Sequence, residues 1–162
     1  KILKIVGFDP GTKITGSAVI DIVSLKRVEL IHHSSIKIPS SLDHQNKLLL
    51  LYQEAKKILH DFHPDLASME GIFAKYNIQS AFKIGQARGV LMLALAEMNI
   101  KAVEFSPREV KKSVTGNGNA SKLQVAYMIK HFFPNIIESS YDETDAVAIA
   151  LTLFHRISLK LC

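Results

Sequence analysis

Leu3-Lys4-Ile5-Val6-Gly7-Phe8-Asp9-Pro10-Gly11-Thr12 lies at the head of the chain. A run of β-formers leads into an acid, and Pro-Gly then turns the backbone away. The stretch reads as a sheet strand that ends in a carboxylate. Open α/β folds place their ligands at such strand ends. Asp before Pro-Gly is also an ordinary turn residue, so the meaning of Asp9 depends on whether the rest of the chain supplies partners for it.

Working outward, residues 2–8, about 14–22 and about 27–38 read as three Ile- and Val-rich strands. Turn chemistry separates them at Asp9–Lys13 and around Asp21–Lys26, and the short links predict an antiparallel meander. Ser41-Leu42-Asp43 opens a helix to about His60, and His63-Pro64-Asp65 breaks it. Leu66-Ala67-Ser68-Met69 is a short strand ending in Glu70, a second strand that finishes in an acid. Because a helix precedes it, this strand can lie parallel to the first. Gly71 to Asn77 reads as a loop, and a long apolar helix follows from about Ile78 to Met98. Lys101–Phe105 is a further strand, Ser106-Pro107 starts a short helix, and Thr115–Asn119 is a flexible polar loop. Ala120-Ser121 leads into a helix to about Phe133, and Tyr141–Arg156 forms the last helix. The pattern is βββαβαβ followed by helices: an α/β domain with a mixed five-stranded sheet flanked by helices on both faces. It occupies residues 1–157, with 158–162 as a C-terminal tail.

With 162 residues, nearly half of them apolar, the chain can bury a substantial core. Its one cysteine, Cys162, leaves no disulfide framework or cysteine-rich zinc site and suits a reducing cytoplasm. The longest apolar run, Val90 to Ala96, is far short of the roughly 20 residues of a membrane span, so a soluble intracellular protein with no membrane partner is expected. The chain begins at Lys1 without Met. The net charge is +5, which favours an anionic partner. Between Ser106 and Lys130 five bases (Arg108, Lys111, Lys112, Lys122, Lys130) face the single acid Glu109, a segment suited to a nucleic-acid backbone or to a solvated helical face.

Two more acids complete a set with Asp9 and Glu70. Asp142 and Asp145 stand three apart at the start of the last helix and so share one face of it. Each of the four has an ordinary reading, as a strand-end surface acid or a first-turn acid complementing the helix dipole. Together they offer oxygen donors suited to Mg2+. Two such ions about 4 Å apart activate a water and stabilise the leaving oxygen of a phosphodiester. Asp9, fixed on the central strand, is the expected bridge between two ions, with Glu70 and the Asp142/Asp145 pair on either side. Four carboxylates this close repel one another, so at least one is expected to have a raised pKa without metal. No Walker loop, nucleophile elbow or metal-spaced histidine pair competes with this reading. His32 and His33 read as surface residues of an exposed strand.

The residues are similar to those of the RuvC family of Holliday junction resolvases over nearly the whole chain. The resemblance rests on Phe8-Asp9-Pro10-Gly11-Thr12 with Thr15-Gly16, on Glu70-Gly71-Ile72-Phe73-Ala74-Lys75 with Asn77, and on Ser80 to Gly89. It continues through Ser106 to Lys112, Gly116 to Lys122 and Asp142 to Ala150. It implies an RNase H-like fold, a homodimer, and symmetrical Mg2+-dependent nicking of four-way DNA junctions, with Mn2+ as a substitute metal and a branch-migration helicase as a further partner. It puts the family's acidic site on Asp9, Glu70, Asp142 and Asp145, its basic residues near the cleaved strand on Lys111 and Lys122, and its base-stacking aromatic on Phe73. Lys75, Arg108 and Lys112 are expected to add DNA contacts. The chain departs from the family pattern at Gly16-Ser17-Ala18, where Gly-Tyr-Gly is frequent, and at Phe8, which is bulkier than the usual Ile or Leu.

Apart from the resemblance, three other readings remain. They are an RNase H-like nuclease acting on RNA or plain duplex, an actin-like kinase or ATPase, for which this length leaves no second domain, and a junction-binding module without catalysis. The small residues of the Ile78–Met98 helix (Ala81, Gly85, Ala87, Gly89, Ala94, Ala96) suit either packing on the sheet or a helix contact between protomers.

Overall fold

Strand β1 (Leu3–Asp9) is the centre of a five-stranded sheet. It is flanked by β2 (Ile14–Ser24), which is followed outward by β3 (Arg27–Lys37), and on its other side by β4 (Leu66–Glu70) and β5 (Lys101–Phe105). β2 pairs antiparallel with both β1 and β3, whereas β4 pairs parallel with β1 and β5 parallel with β4. A computed structural model describes residues 3–71, 77–136 and 139–161 of the chain. The helices are α1 (His44–Phe62), α2 (Ile78–Glu97), α3 (Pro107–Thr115), α4 (Lys122–Phe132) and α5 (Tyr141–Leu161). This is the element order expected from the sequence.

The sheet separates two cores. Val6 and Phe8 of β1 pack with Leu51, Ala55 and Leu59 of α1 and with Ala87, Leu91 and Leu95 of α2. Ile5 packs on the opposite face with Ala146 to Leu151 of α5 and with residues of α3 and α4. The alternation along β1 is the pleat itself: successive side chains point to opposite faces. Phe8 is fully buried in the α1–α2 core, so the bulky residue before Asp9 is accommodated on the far side of the sheet from it.

Local signals set the helix ends. Asp43 caps α1 by accepting the Asn46 N–H at 2.9 Å, and His63 in the left-handed region, followed by Pro64, closes it. Ser106 with Glu109 and Ser121 with Gln124 form complete capping boxes at α3 and α4, each cap worth about 1 kcal/mol. Gly116, at φ 78°, ends α3 in a conformation that suits glycine.

Several expectations change. β2 continues through Ile22 to Ser24, leaving only Leu25-Lys26 as the turn, because Ile22 is a core residue and its strand pairs with Val28 of β3. α5 does not give way to a tail at 158: it continues to Leu161, since no Gly or Pro interrupts Arg156 to Leu161 and Ile157 still packs on the core. The 115–119 loop carries its own hydrogen bonds, Thr115 Oγ1 to Lys111 O at 2.8 Å and Asn119 N to Asn117 Oδ1 at 2.9 Å, rather than hanging free. The small residues of α2 divide between faces. Ala87 and Ala94 are buried against the sheet, whereas Gly89 has open space where a Cβ would stand.

Candidate active site

The face of each site residue follows from strand alternation. Gly7 and Asp9 share with Ile5 the α5 side of β1. On β4, Ala67 and Met69 face α1 and α2, while Ser68 donates its hydroxyl to Ile149 O of α5 at 3.0 Å. Glu70, two residues beyond Ser68, therefore also faces α5. The parallel register pairs Phe8 with Met69, so its next step sets Asp9 beside Glu70.

Two glycines bring α5 onto this row. A Cβ at Gly7 would stand 2.3 Å from Ala146 O, and one at Gly16 only 1.9 Å from Asp142 O. Any other residue at either position would hold the helix away from the sheet. Gly16 is the register partner of Asp9, so the seat of Asp142 lies directly across from Asp9. The first turn of α5 then presents Asp142 and Asp145 to the ends of β1 and β4. At the end of β1, Gly11 and Thr15 close the turn through paired contacts of 3.3 Å between the Thr15 hydroxyl and the Gly11 backbone.

The electrostatics record the convergence. Burial, then the charges of Asp145, Glu70 and Asp142, push the Asp9 carboxyl well above the ordinary carboxylate range, against the opposing pull of Lys122. Burial and Asp145 also raise Glu70, with Lys122 and Lys111 opposing. Asp145 is raised by burial, although Lys122 pulls the other way through a 2.9 Å ion pair with its Oδ2. Lys122 itself loses charge preference through burial but gains more from Asp145, Asp9 and Asp142, so its ammonium is held above its usual value. Its Nζ also lies 5.5 Å from the centre of the Tyr141 ring.

Four carboxylates and no softer donor form a set suited to a hard divalent cation. The raised carboxyls mark an excess of negative charge that a cation would relieve. Among the described residues no group of three or more His, Cys, Asp or Glu side chains is arranged to hold an ion as it stands; Lys122 takes one oxygen of Asp145 instead. A cation that keeps several waters and takes only one or two protein carboxylates needs no closed cage, so the donor set fits such an ion.

The basic residues do not all face this site. Lys111 is half-buried and acts electrostatically on Glu70 and Asp145. Arg108 packs its stem over Gly118, where a Cβ would meet its Cγ at 2.6 Å, and so backs the loop that leads to Lys122. Lys112, expected as a companion of Lys111, instead lines a cleft with Glu109, His155 and Arg156, because adjacent helical residues point about 100° apart. Phe73 and Lys75 lie outside the described residues.

His33, Ser35 and Glu143 were not singled out from the sequence. His33 donates from Nδ1 to Glu143 Oε2 at 2.6 Å, and Ser35 donates to Glu143 Oε1 at 2.9 Å. Burial raises Glu143, but the bonds from His33 and Ser35 outweigh it and hold the carboxyl below its usual range. Neither histidine of the pair is a free surface residue. His32 faces the other side of the sheet, where its ring lies 4.7 Å from that of Phe62 and burial lowers its pKa. The available signal was the alternation of β3, which separates the two histidines onto opposite faces.

Comparison with known proteins supplies the relatives. The family model described as "Crossover junction endodeoxyribonuclease RuvC" matches residues 5–153. The RuvC of Thermotoga petrophila is 42% identical over 158 residues, covering 98% of this chain and 94% of the relative. That of a Bradyrhizobium strain is 39% identical over 154 residues, covering 95% and 87%. Among solved structures, Thermus thermophilus RuvC in complex with a Holliday junction substrate superposes with a TM-score of 0.90 at 25% identity, covering 98% of this chain and 96% of the other. The yeast mitochondrial Holliday junction resolvase shares the fold, with a TM-score of 0.67 at 16% identity over 97% of this chain and 82% of the other. The sheet order, the helices on both faces and these neighbours make the fold RNase H-like. With a family match across almost the whole sheet and helix framework and relatives this similar along nearly their full length, the chain belongs to the RuvC family of crossover junction endodeoxyribonucleases.

Proposed function

We propose that this chain resolves four-way DNA junctions by hydrolysing one phosphodiester in each of two symmetry-related strands. The observation that carries the reading is the meeting of Asp9, Glu70, Asp142 and Asp145 on one side of the sheet, with burial and mutual repulsion raising the Asp9 carboxyl. In this reading Asp9, Glu70, Asp142 and Asp145 would hold two Mg2+ ions, or Mn2+ in their place. Bound there, such ions supply an activated water and neutralise the leaving oxygen.

The chain's own residues do the rest. Two strand ends and a helix turn, rather than a loop, hold the four acids in place. Lys122, a compact point charge already drawn toward the cluster, opposes the negative charge that builds on the phosphate in the transition state. Lys111 lies at the edge of the same field. Arg108 and Lys112 grip the DNA backbone at greater distance, a contribution that salt weakens. Phe73 stacks on an unpaired base and Lys75 contacts the backbone beside it, both assigned through the family resemblance. A cleft between α4 and the start of α5, lined by Leu123, Tyr127, Lys130 and Tyr141, reaches Asp142 and suits a strand approaching it.

Two nicks related by a two-fold axis require two sites, so the working unit is a homodimer. The outward face of α2 suits this contact: Ile78 is 88% exposed and Phe82 68% exposed, with Leu93 and Gly89 further along the same side. The nuclease unit acts with a branch-migration helicase in the cytoplasm. No helix among the described residues is long and apolar enough to cross a membrane. The deciding assay compares cleavage of a four-way junction, a linear duplex and an RNA–DNA hybrid in Mg2+. Paired nicks in the junction alone are expected, and equal cleavage of all three substrates would overturn the reading.

A further inference from the structure

Three helices of this chain begin with Ser followed three residues later by Glu or Gln. In α3 and α4 the Glu or Gln turns back to its own cap: Glu109 Oε2 takes the Ser106 N–H at 2.7 Å, and Gln124 Oε1 takes the Ser121 N–H at 2.8 Å. At α5 the same spacing, Ser140 to Glu143, is used differently. Ser140 Oγ accepts the Glu143 N–H at 3.3 Å, but both Glu143 carboxylate oxygens are taken by strand β3, one by His33 and one by Ser35. Ser35 Oγ also lies 2.9 Å from Ser140 Oγ. The carboxylate is only 16% exposed and the imidazole 28%, so these bonds are shielded and worth more than a surface pair.

The location gives the diversion its meaning. Ser35 is the register partner of Gly16, which is the partner of Asp9. One row of the sheet thus carries Asp9, the glycine seat of Asp142, and the anchor of Glu143. Glu143 stands between Asp142 and Asp145 in sequence, on the turn that carries both. First turns of helices fray most readily. A strut from that turn to the sheet removes the motion that would separate Asp142 and Asp145 from Asp9 and Glu70.

We propose that Glu143, held by His33 and Ser35, is a positioning residue that locks the first turn of α5 and so keeps Asp142 and Asp145 on the side of the sheet where Asp9 and Glu70 end. It rests on the reading of the four carboxylates as the cation site. Both Glu143 oxygens are engaged on β3, so it acts through its neighbours and not as a ligand. Outer partners of metal ligands typically change metal affinity by about 10–100-fold when removed.

The test titrates Mn2+ into the DNA-free full chain, followed by electron paramagnetic resonance, alongside the Mn2+ dependence of junction nicking. Glu143→Ala and His33→Ala are expected to weaken Mn2+ binding by about 10–100-fold and to raise the Mn2+ needed for half-maximal nicking in step, with metal-free junction binding unchanged. Glu143→Gln, whose carbonyl oxygen can accept from His33 while its amide N–H donates to the Ser35 hydroxyl, is expected to stay close to wild type. Ser35→Ala, the mildest change, should weaken Mn2+ several-fold and decides the matter if Glu143→Ala does not fold. Wild-type Mn2+ binding by folded Glu143→Ala, or by Ser35→Ala in that case, overturns the strut. Glu143→Gln as defective as Glu143→Ala also overturns it, by making the carboxylate charge itself the requirement. Asp9→Asn in parallel separates the two levels: wild-type Mn2+ binding there overturns the four-carboxylate reading on which the strut rests.

Discussion

Replacing Gly16 with alanine adds only one methyl group on β2, yet it should damage the proposed active site directly. The new Cβ would stand 1.9 Å from Asp142 O and 2.6 Å from Asp142 C, where real Cβ contacts essentially never fall under 3.0 Å. Both contacts are to backbone, so no side-chain rotation relieves them. The first turn of α5 must retreat from β2 by about 1.1 Å, the gap between 1.9 and 3.0 Å. That retreat carries Asp142 and Asp145 away from Asp9 and Glu70. A misplacement of about 1 Å costs about 100-fold in rate, or about 2.7 kcal/mol of barrier. Overpacking of this kind costs about 1–3 kcal/mol of stability, a fall in Tm of roughly 2–12 °C for a chain of this size. Single-turnover nicking of a labelled four-way junction at saturating protein and Mg2+ measures the first effect, thermal unfolding the second, and a gel-shift titration without metal tests binding. A drop of about 100-fold in rate with junction affinity unchanged is expected. A variant that nicks at the wild-type rate with unchanged Tm would refute the claim that Gly16 seats α5. Equal losses of nicking and binding would refute the claim that the damage is confined to the site.

Asp9→Asn should abolish nicking while junction binding survives, and equal loss of both would make Asp9 structural. The same residue sets a pH dependence. The folded-state pKa of Asp9 is raised, so between the unfolded value of about 4 and the folded value the native chain binds more protons than the unfolded chain. Stability without metal is therefore fully present below pH 4 or so and falls as pH rises through the folded pKa; melting curves across pH should show this fall, and Asp9→Asn should flatten it. Lys122→Ala should slow single-turnover nicking by about 10²–10³-fold, the scale for losing one donor to transition-state charge, with little change in junction affinity; a change confined to affinity would make Lys122 a backbone grip. Phe82→Asp should convert a dimer to a monomer in sedimentation analysis, because it places a charge in the outward apolar face of α2, and an unchanged mass would move the dimer contact elsewhere.

Much of this arrangement was legible in the sequence because local rules govern it. Short runs of β-forming and apolar residues located β1 and β4 and put an acid at the end of each. Ser-Pro before Arg108 and Ser121 before Lys122 marked the starts of α3 and α4, because capping depends on a few adjacent groups. The spacing of Asp142 and Asp145 placed them on one helix face for the same reason. Local rules failed where two distant segments share an atom's width of space. Gly16 looked like no more than part of a family motif, and only the descent of α5 onto β2 shows why no side chain fits there. His32 and His33 looked like neighbours on a wet strand, and only the layers on either side send one to Phe62 and the other to Glu143. Lys112 looked equivalent to Lys111 until the rotation of α3 turned it toward Arg156.

The sequence by itself determined that this protein has a mixed sheet, two strand-end carboxylates, a helix with paired acids and a basic segment, because strand periodicity, caps and turns are decided within a few residues of chain. The tertiary structure alone decided that Asp145, Glu70 and Asp142 stand close enough to Asp9 for their charges to act on it. Their meeting depends on the register that sets Asp9 beside Glu70 and opposite Gly16, on the close approach of α5 that glycine permits, and on the bonds from β3 that hold Glu143. Those are contacts between segments up to 130 residues or so apart, and a contact at that separation is settled by how whole layers pack.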